Sequence, residues 1–367
     1  MRDQVYSLPA LIRDQIWTLE AKTRKALTTP EIFATRHIVL TGCGDSHISA
    51  VAAETAFTQL AGIHTQALNA MQASRYNAGH STWQYPQNPL VLAVSSSGEV
   101  ARVVEAVQHY RDCGALTVAI TSNLGSRLAT HADRVVEATV PPFVSSPGVR
   151  SYIISLLTLY LLAVRLGEVR GNYTADEAMN LRRELESTAD AIETVLQTLD
   201  EPLKKLANEW SEFPNIELLG SGPDRGTAAY GAAKLLEAVG IHAVHQDVEE
   251  WVHLEYFVAD TVHTGMLVMC PENSPASSRV EEIERYLQNL KRPYVILTGQ
   301  SGDQRFRRPL VLTPEIRPIF APLLYSVPLA LFAAYLSHQV DATYGRGATG
   351  YWVDCRDGMT TRQSAIT

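Results

Sequence analysis

Twice along this chain a short apolar run ends in a Gly-x-Gly turn that leads into a helical pattern: IVLTGCGDS at residues 38–46 and IELLGSGPD at residues 216–224. A strand that empties through glycines into a helix opens a parallel βαβ unit, because only residues without bulky side chains let the chain turn that tightly. Its recurrence points to two similar α/β domains in tandem. Only the first copy is followed by a second loop of phosphate-binding type, LAVSSSGEV at residues 92–100, which the other half does not match. The two halves therefore share a plan and differ in equipment.

The pattern around the turns fills in the plan. Residues 1–36 read as helical, with Leu8, Leu11, Ile12 and Ile16 on one face. Strands are predicted at 38–40, around 67–70, and at 89–95, 116–121 and 135–139. Between them Ser46 opens a helix carrying Ala50, Ala53 and Phe57, and another helix runs through 103–108. The second half repeats this, with strands at 216–219, near Ala243, and at 266–269, 294–298 and 310–312. Its helices cover 228–239 and 325–335. Strands that are continuous apolar runs belong to sheets covered on both faces. The expected fold is thus α/β, with two doubly wound, mostly parallel five-stranded sheets flanked by helices. The expected divisions are a helical segment at 1–36, a first domain at 37–172, linking helices at 173–212, a second domain at 213–344 and a tail at 345–367. The charged helical pattern from Ala175 to Trp210 reads as a connection rather than a core. The glycine-rich tail has no clear period and is either disordered or draped over a neighbouring surface.

Composition narrows the function class. The chain has 367 residues, 46% apolar and 19% charged, with a formal charge of −8, which leaves no electrostatic footprint for nucleic acid. Cys43, Cys113, Cys270 and Cys355 lack metal-ligand spacing, so neither a zinc site nor a disulfide framework is expected, and a reducing cytoplasm fits. The first residues carry no apolar signal segment. The most apolar stretch, 152–166, reads as a buried helix too short to cross a bilayer. No cofactor, metal or membrane is called for.

A loop at the carboxyl end of a parallel strand, leading into a helix, presents unpaired backbone N–H groups at a positive dipole end. Ser95, Ser96 and Ser97 add hydroxyls to such amides and can grip a phosphate without a lysine. Gly44 and Ser46 offer a second set from the next strand, and Thr121 and Ser122 a third. In a doubly wound sheet these ends converge on one crevice. The plainer reading of a serine run before a helix is an N-cap and turn. A dinucleotide fingerprint fails, because His47 stands where its third glycine belongs and no acidic residue follows a second strand near 65–70. A Walker A motif is also lacking.

These motifs, taken in order, resemble the sugar isomerase (SIS) domain family. The likeness is strongest to the isomerase domain of glutamine–fructose-6-phosphate aminotransferase and to deglycases of the fructoselysine-6-phosphate type. It runs through MRDQVYSLP (1–9), GCGDS, SSSGE, AITSN (119–123), the second glycine turn, AKLLEAVGIH (233–242) and EWVH (250–253). The resemblance implies that the first domain binds a sugar phosphate through Gly44, Ser46, Ser95, Ser96, Ser97 and Glu99. It places Val100 where the family has threonine, and Ser145 or Ser146 where a family serine follows the last strand. It makes Glu237 the base, Lys234 its neighbour, His253 the ring-opening histidine given by the other subunit of a homodimer, and Glu250 the supporting acid.

The departures are equally informative. The chain opens at the isomerase-like part, so ammonia production from glutamine is not expected, and no lysine follows Lys291 in the tail GRGATGYWVDCR (345–356). The expected reaction is proton transfer at C1–C2 of a bound sugar phosphate, by an isomerase or a sugar-amine 6-phosphate deglycase. Alternatives are an ammonia-dependent amino-sugar phosphate isomerase or deaminase, and a non-catalytic phosphosugar sensor. Lys234 and Glu237 lie one helical turn apart, as a surface ion pair also would. His253 competes with His242, His245 and His263. The segment DVEEWVHLEY (247–256) reads as a subunit interface through Trp251, Leu254, Tyr256 and Phe257.

Overall fold

A computed structural model describes residues 1–79, 89–300, 302–342 and 361–366. The expected turns and strands are present. The first sheet comprises β1 (His37–Gly42), β2 (His64–Asn69), β3 (Pro89–Val94), β4 (Leu116–Thr121) and β5 (Arg134–Glu137) in the order β2-β1-β3-β4-β5. The second comprises β6 (Asn215–Leu219), β7 (His242–Gln246), β8 (Thr264–Cys270), β9 (Tyr294–Thr298) and β10 (Pro309–Val311) in the order β10-β9-β8-β6-β7. Every strand pair is parallel. Read from its own first strand, each sheet has the same 2-1-3-4-5 order, so the sequence repeat is a topological repeat. Strand order reverses between β1 and β3 and between β6 and β8, where such sheets open a crevice at the strands' carboxyl ends.

By contacts the chain forms two compact units. One contains Leu11–Phe143, Arg150–Glu186 and Arg346–Thr367; the other contains Met1–Ala10, Val144–Val149 and Ser187–Gly345. In the first, β3 and most of β1 and β4 are fully buried, as strands covered on both faces must be. The apolar face foreseen in the N-terminal helix Leu8–Ala26 is buried: Leu8, Leu11, Ile12 and Ile16 are all nearly inaccessible.

Two expectations need correction. The helix Ala175–Glu209 is charged but not a mere connection. Leu185, Ala189, Ile192 and Val195 form an inaccessible stripe at helical spacing, so its buried side belongs to the core. The apolar segment at 152–166 extends into a 21-residue helix, Arg150–Arg170, long enough to cross a membrane, as is Pro318–Gln339. Burial decides how both are used: 83% and 89% of their apolar windows lie inside the fold.

A buried ion network pins three helices of the first unit. Arg182, 1% exposed, reaches Glu20 at 3.0 Å and Glu168 at 2.6 Å, and Arg165 also meets Glu168 at 3.1 Å. Burial pushes the Glu168 carboxyl up, but the hydrogen bond and charge of Arg182, with Arg165 and Arg24, outweigh it and hold the group below its ordinary range. A lowered folded pKa stabilises above the unfolded value and is lost as pH falls through the folded one. Arg182→Met is therefore expected to cost about 3 kcal/mol at pH 7, and the deficit should shrink below pH 4. Urea unfolding of both proteins at the two pH values checks this, and a deficit independent of pH would contradict it.

Candidate functional site

The first crevice is built by backbone constraint. A Cβ on Gly42 would sit 2.8 Å from the Ser46 carbonyl carbon and 2.9 Å from the His47 nitrogen, so the strand end presses directly on the first turn of the helix Asp45–Ala56. Gly44 follows with φ +54°, a left-handed conformation that suits glycine. The β1–β3 register, which pairs Thr41 with Ala93, sets this turn beside the loop after β3.

That loop is laced to its neighbours. The Ser95 N–H donates to the Ile120 carbonyl at 3.0 Å, and the Ser95 hydroxyl accepts from the Gly98 N–H at 3.2 Å. The Ser96 carbonyl accepts from the Ser122 N–H, the Ser122 hydroxyl and the Thr121 hydroxyl at 3.0, 2.7 and 3.1 Å. Ser97 Oγ accepts from the Glu99 N–H at 3.3 Å. Gly98 closes the loop at φ +68°, and a Cβ there would fall 2.0 Å from Ser126 Oγ. Ser95 is buried, whereas Ser46, Ser96 and Ser97 reach the surface in part. The third loop, with Thr121 and Ser122, thus braces the serine loop.

Other foreseen residues fall elsewhere. The Glu99 carboxylate accepts from the Arg127 N–H at 3.1 Å and Arg127 Nε at 2.9 Å, which hold it below the usual carboxylate range. It is committed to the start of the helix Arg127–His131. Val100 precedes the helix Ala101–Asp112 and contributes no side-chain cap. Instead the Ala101 N–H donates to the Thr361 carbonyl at 2.8 Å, and Arg127 Nη2 donates to the Arg362 carbonyl at 2.6 Å. Residues 361–366 of the tail are therefore draped over this unit, which their sequence left open; 345–360, with Cys355, lie outside the described residues. Ser145 is exposed, Ser146 Oγ donates to the Pro147 carbonyl at 3.1 Å, and both belong to the other unit.

The second crevice repeats the turn with different chemistry. A Cβ on Gly220 would lie 2.2 Å from the Asp224 carbonyl oxygen, and Gly222 takes φ +58°, matching Gly42 and Gly44. Ser221 Oγ donates to Asp247 at 2.6 Å. Asp224 is wholly buried and accepts from Thr227 Oγ1 at 2.9 Å. At the ends of β8 and β9, the Glu315 carboxyl is pushed up by burial and by its hydrogen bond to Glu272. Asp224 stands here where the first turn has Ser46, and Glu272 and Glu315 add a carboxyl pair.

The helix Asp224–Ala238 also carries the candidate base. Lys234 is fully buried, its Nζ 2.5 Å from Glu237 Oε2 and 5.2 Å from the Tyr230 ring centroid. The Glu237 side chain is 46% exposed. The pair is thus a buried ammonium clamping a carboxylate that reaches solvent, rather than an ion pair wholly on the surface. His253 is exposed, with Nε2 3.3 Å from Glu249, which also binds Arg279 at 2.7 Å. The acid against His253 is therefore Glu249; Glu250 meets it through the backbone, its carbonyl accepting the His253 N–H at 3.0 Å. The interface reading of Trp251 is also corrected. Trp251 is inaccessible in the core of its unit, whereas Leu254 and Phe257 are exposed.

Burial pushes the Asp224 carboxyl up to about 7, with the Thr227 hydroxyl opposing. A carboxyl whose folded pKa is raised destabilises the fold once pH climbs past its unfolded value, with the full cost above the folded one. Asp224→Asn should leave stability little changed at pH 4 and raise it by about 2–4 kcal/mol at pH 8, since each tenfold change in proton affinity is worth about 1.4 kcal/mol. Urea denaturation at both pH values measures this, and equal effects would contradict it.

Comparison with known proteins agrees with this geometry. The SIS domain model matches residues 31–165. The glutamine–fructose-6-phosphate aminotransferase of Streptomyces coelicolor is 29% identical over 266 residues, covering 68% of this chain and 41% of that protein. The enzyme of Clostridium tetani is 26% identical over 262 residues, with the same coverage. This chain thus spans about two fifths of the length of these relatives. Among solved structures, the C-terminal domain of glucosamine-fructose-6-phosphate aminotransferase from Francisella tularensis superposes with TM-score 0.82 at 17% identity, covering 93% of this chain and 96% of that one. Glucosamine-6-phosphate deaminase from Thermotoga maritima gives 0.65 at 18% identity, over 91% and 93%. Residues 31–165 thus carry an SIS domain, the second sheet repeats its topology, and the chain is related in sequence to the isomerase part of those aminotransferases.

Proposed function

We propose that this protein moves a proton at the C1–C2 edge of a phosphorylated sugar or sugar amine, as a phosphosugar isomerase or a sugar-amine 6-phosphate deglycase. The observation that carries this reading is the Lys234–Glu237 pair. Burying an ammonium completely is costly unless a counter-charge meets it. Here the counter-charge is a carboxylate that still opens to solvent. Such a carboxylate is held in one orientation by its buried partner and offers a base to a bound molecule.

In this reading the turns at Gly44–Ser46 and Ser95–Gly98 hold the phosphate by amides and hydroxyls, and the Val100 position adds no hydroxyl. Glu237 takes the proton beside the carbonyl or imine, giving an enediol or enolamine, and returns it to the neighbouring carbon. Lys234 orients Glu237 and steadies negative charge on the sugar oxygen. His253, exposed and beside Glu249, opens the sugar ring for a second copy of the chain, and Ser145 or Ser146 lines the sugar. Isomerase and deglycase differ only in what hangs from the carbonyl-derived carbon. A cytoplasmic homodimer belongs to the same reading. The shared topology with a deaminase of amino-sugar phosphates keeps that reaction within the same chemistry.

A screen of hexose 6-phosphates and their amine adducts, with products separated by mass, identifies the reaction. On the substrate so found, Glu237→Gln should lower turnover at least 100-fold, the scale of a lost general base, while affinity stays within about threefold. Retained turnover would contradict the role of Glu237. Ser97→Ala should weaken binding about tenfold, as for one hydrogen bond to a charged oxygen. Unchanged affinity by calorimetry would move the phosphate elsewhere.

A further inference from the structure

The segment that bears His253 is moored by a buried charge that the reaction itself does not use. Arg292 stands in the short turn before β9, its side chain wholly inaccessible. Its Nη1 donates to Glu217 Oε2 on β6 at 2.8 Å. The same Glu217 oxygen accepts from Trp251 Nε1 at 2.8 Å, and the guanidinium carbon lies 5.4 Å from the Trp251 ring centroid. Arg292 Nη2 donates to the carbonyls of Glu255 at 2.9 Å and Val258 at 3.3 Å, at the start and just past the end of the single 3-10 turn Glu255–Phe257. His253 lies between these moorings, two residues after Trp251 and two before Glu255. Its own ring is exposed and meets Glu249 at 3.3 Å.

Stability alone does not account for this arrangement. Burial pushes the Glu217 carboxyl up despite Arg292 and Trp251, so the carboxylate is harder to form here than in water. A buried ion pair is often no more stabilising than apolar residues of similar volume. What the guanidinium fork supplies is direction: one planar group fixes a sheet carboxylate and two loop carbonyls at once from two nitrogens held in a rigid plane, whereas an ammonium's donors share one freely rotating nitrogen. From this geometry we infer that Arg292, through Glu217 and Trp251, is a positioning residue for His253. It sets where the ring-opening imidazole is presented. The inference rests on the reading that His253 takes part in the reaction.

The test is a double-mutant cycle on the full-length protein, reading solvent deuterium incorporation at C1 of fructose 6-phosphate by mass spectrometry. His253→Asn and Arg292→Lys should each slow incorporation at least tenfold with fructose 6-phosphate affinity within about threefold. Adding Arg292→Lys to His253→Asn should slow it by less than twofold more, because the fork acts through the imidazole. Losses that multiply, or a neutral Arg292→Lys beside an impaired His253→Asn, overturn the inference alone. A neutral His253→Asn overturns the reading beneath it, and the inference with it. Amide hydrogen exchange supplies a readout independent of turnover. Arg292→Lys and Glu217→Gln/Arg292→Met should speed exchange at least tenfold in residues 251–258 while β6, β8 and β9 keep their protection. Uniform change across the unit, or none at 251–258, contradicts a positioning role.

Discussion

The contact on which the rest depends is that of the first strand of each sheet with the helix it feeds. At Gly42 and again at Gly220 the backbone runs so close to the next helical turn that a Cβ would overlap it, at 2.8 and 2.2 Å. Gly44 and Gly222 then turn the chain through left-handed φ. This tight turn aims a helix N-terminus at the place where strand order reverses, and there a parallel sheet opens a crevice. Both halves of the chain obey the constraint, and both have the same five-strand order. What each does with its crevice is a separate matter of side chains.

The first crevice is rich in hydroxyls and amides, with its serine loop braced by Thr121, Ser122 and Ser126. The second holds buried Asp224 and the Glu272–Glu315 pair and has no counterpart of the serine loop. The second unit carries the groups proposed for proton chemistry: a buried ammonium against a half-exposed carboxylate, and an exposed histidine on a segment tied to the core through Trp251.

Much of this was legible in the sequence because parallel sheets write themselves as uninterrupted apolar runs between glycine turns. The strands at 116–121, 216–219 and 294–298 follow from that signal alone. The helix Ala175–Glu209 misled because its charges outnumber its apolar stripe, and only counting at 3.6-residue spacing separates the two. Trp251 misled because an aromatic among acidic residues resembles an interface, whereas its indole N–H is satisfied by Glu217, 34 positions away in the chain. The depth of Lys234 could not be foreseen, since a lysine three residues before a glutamate reads the same on a surface as in a core. The resemblance pointed to Glu250, whereas the side chain that meets His253 is Glu249. Its i,i+4 spacing to His253 was the available signal.

The central claim is that one crevice binds the anion and its topological twin does not. It is tested most directly by following backbone amide resonances while fructose 6-phosphate is titrated into the protein. The account predicts saturable shifts at Gly44–Ser46 and Ser95–Gly98, with Gly220–Asp224 unmoved. Saturable shifts at Gly220–Asp224, or none at the serine loop, would contradict it.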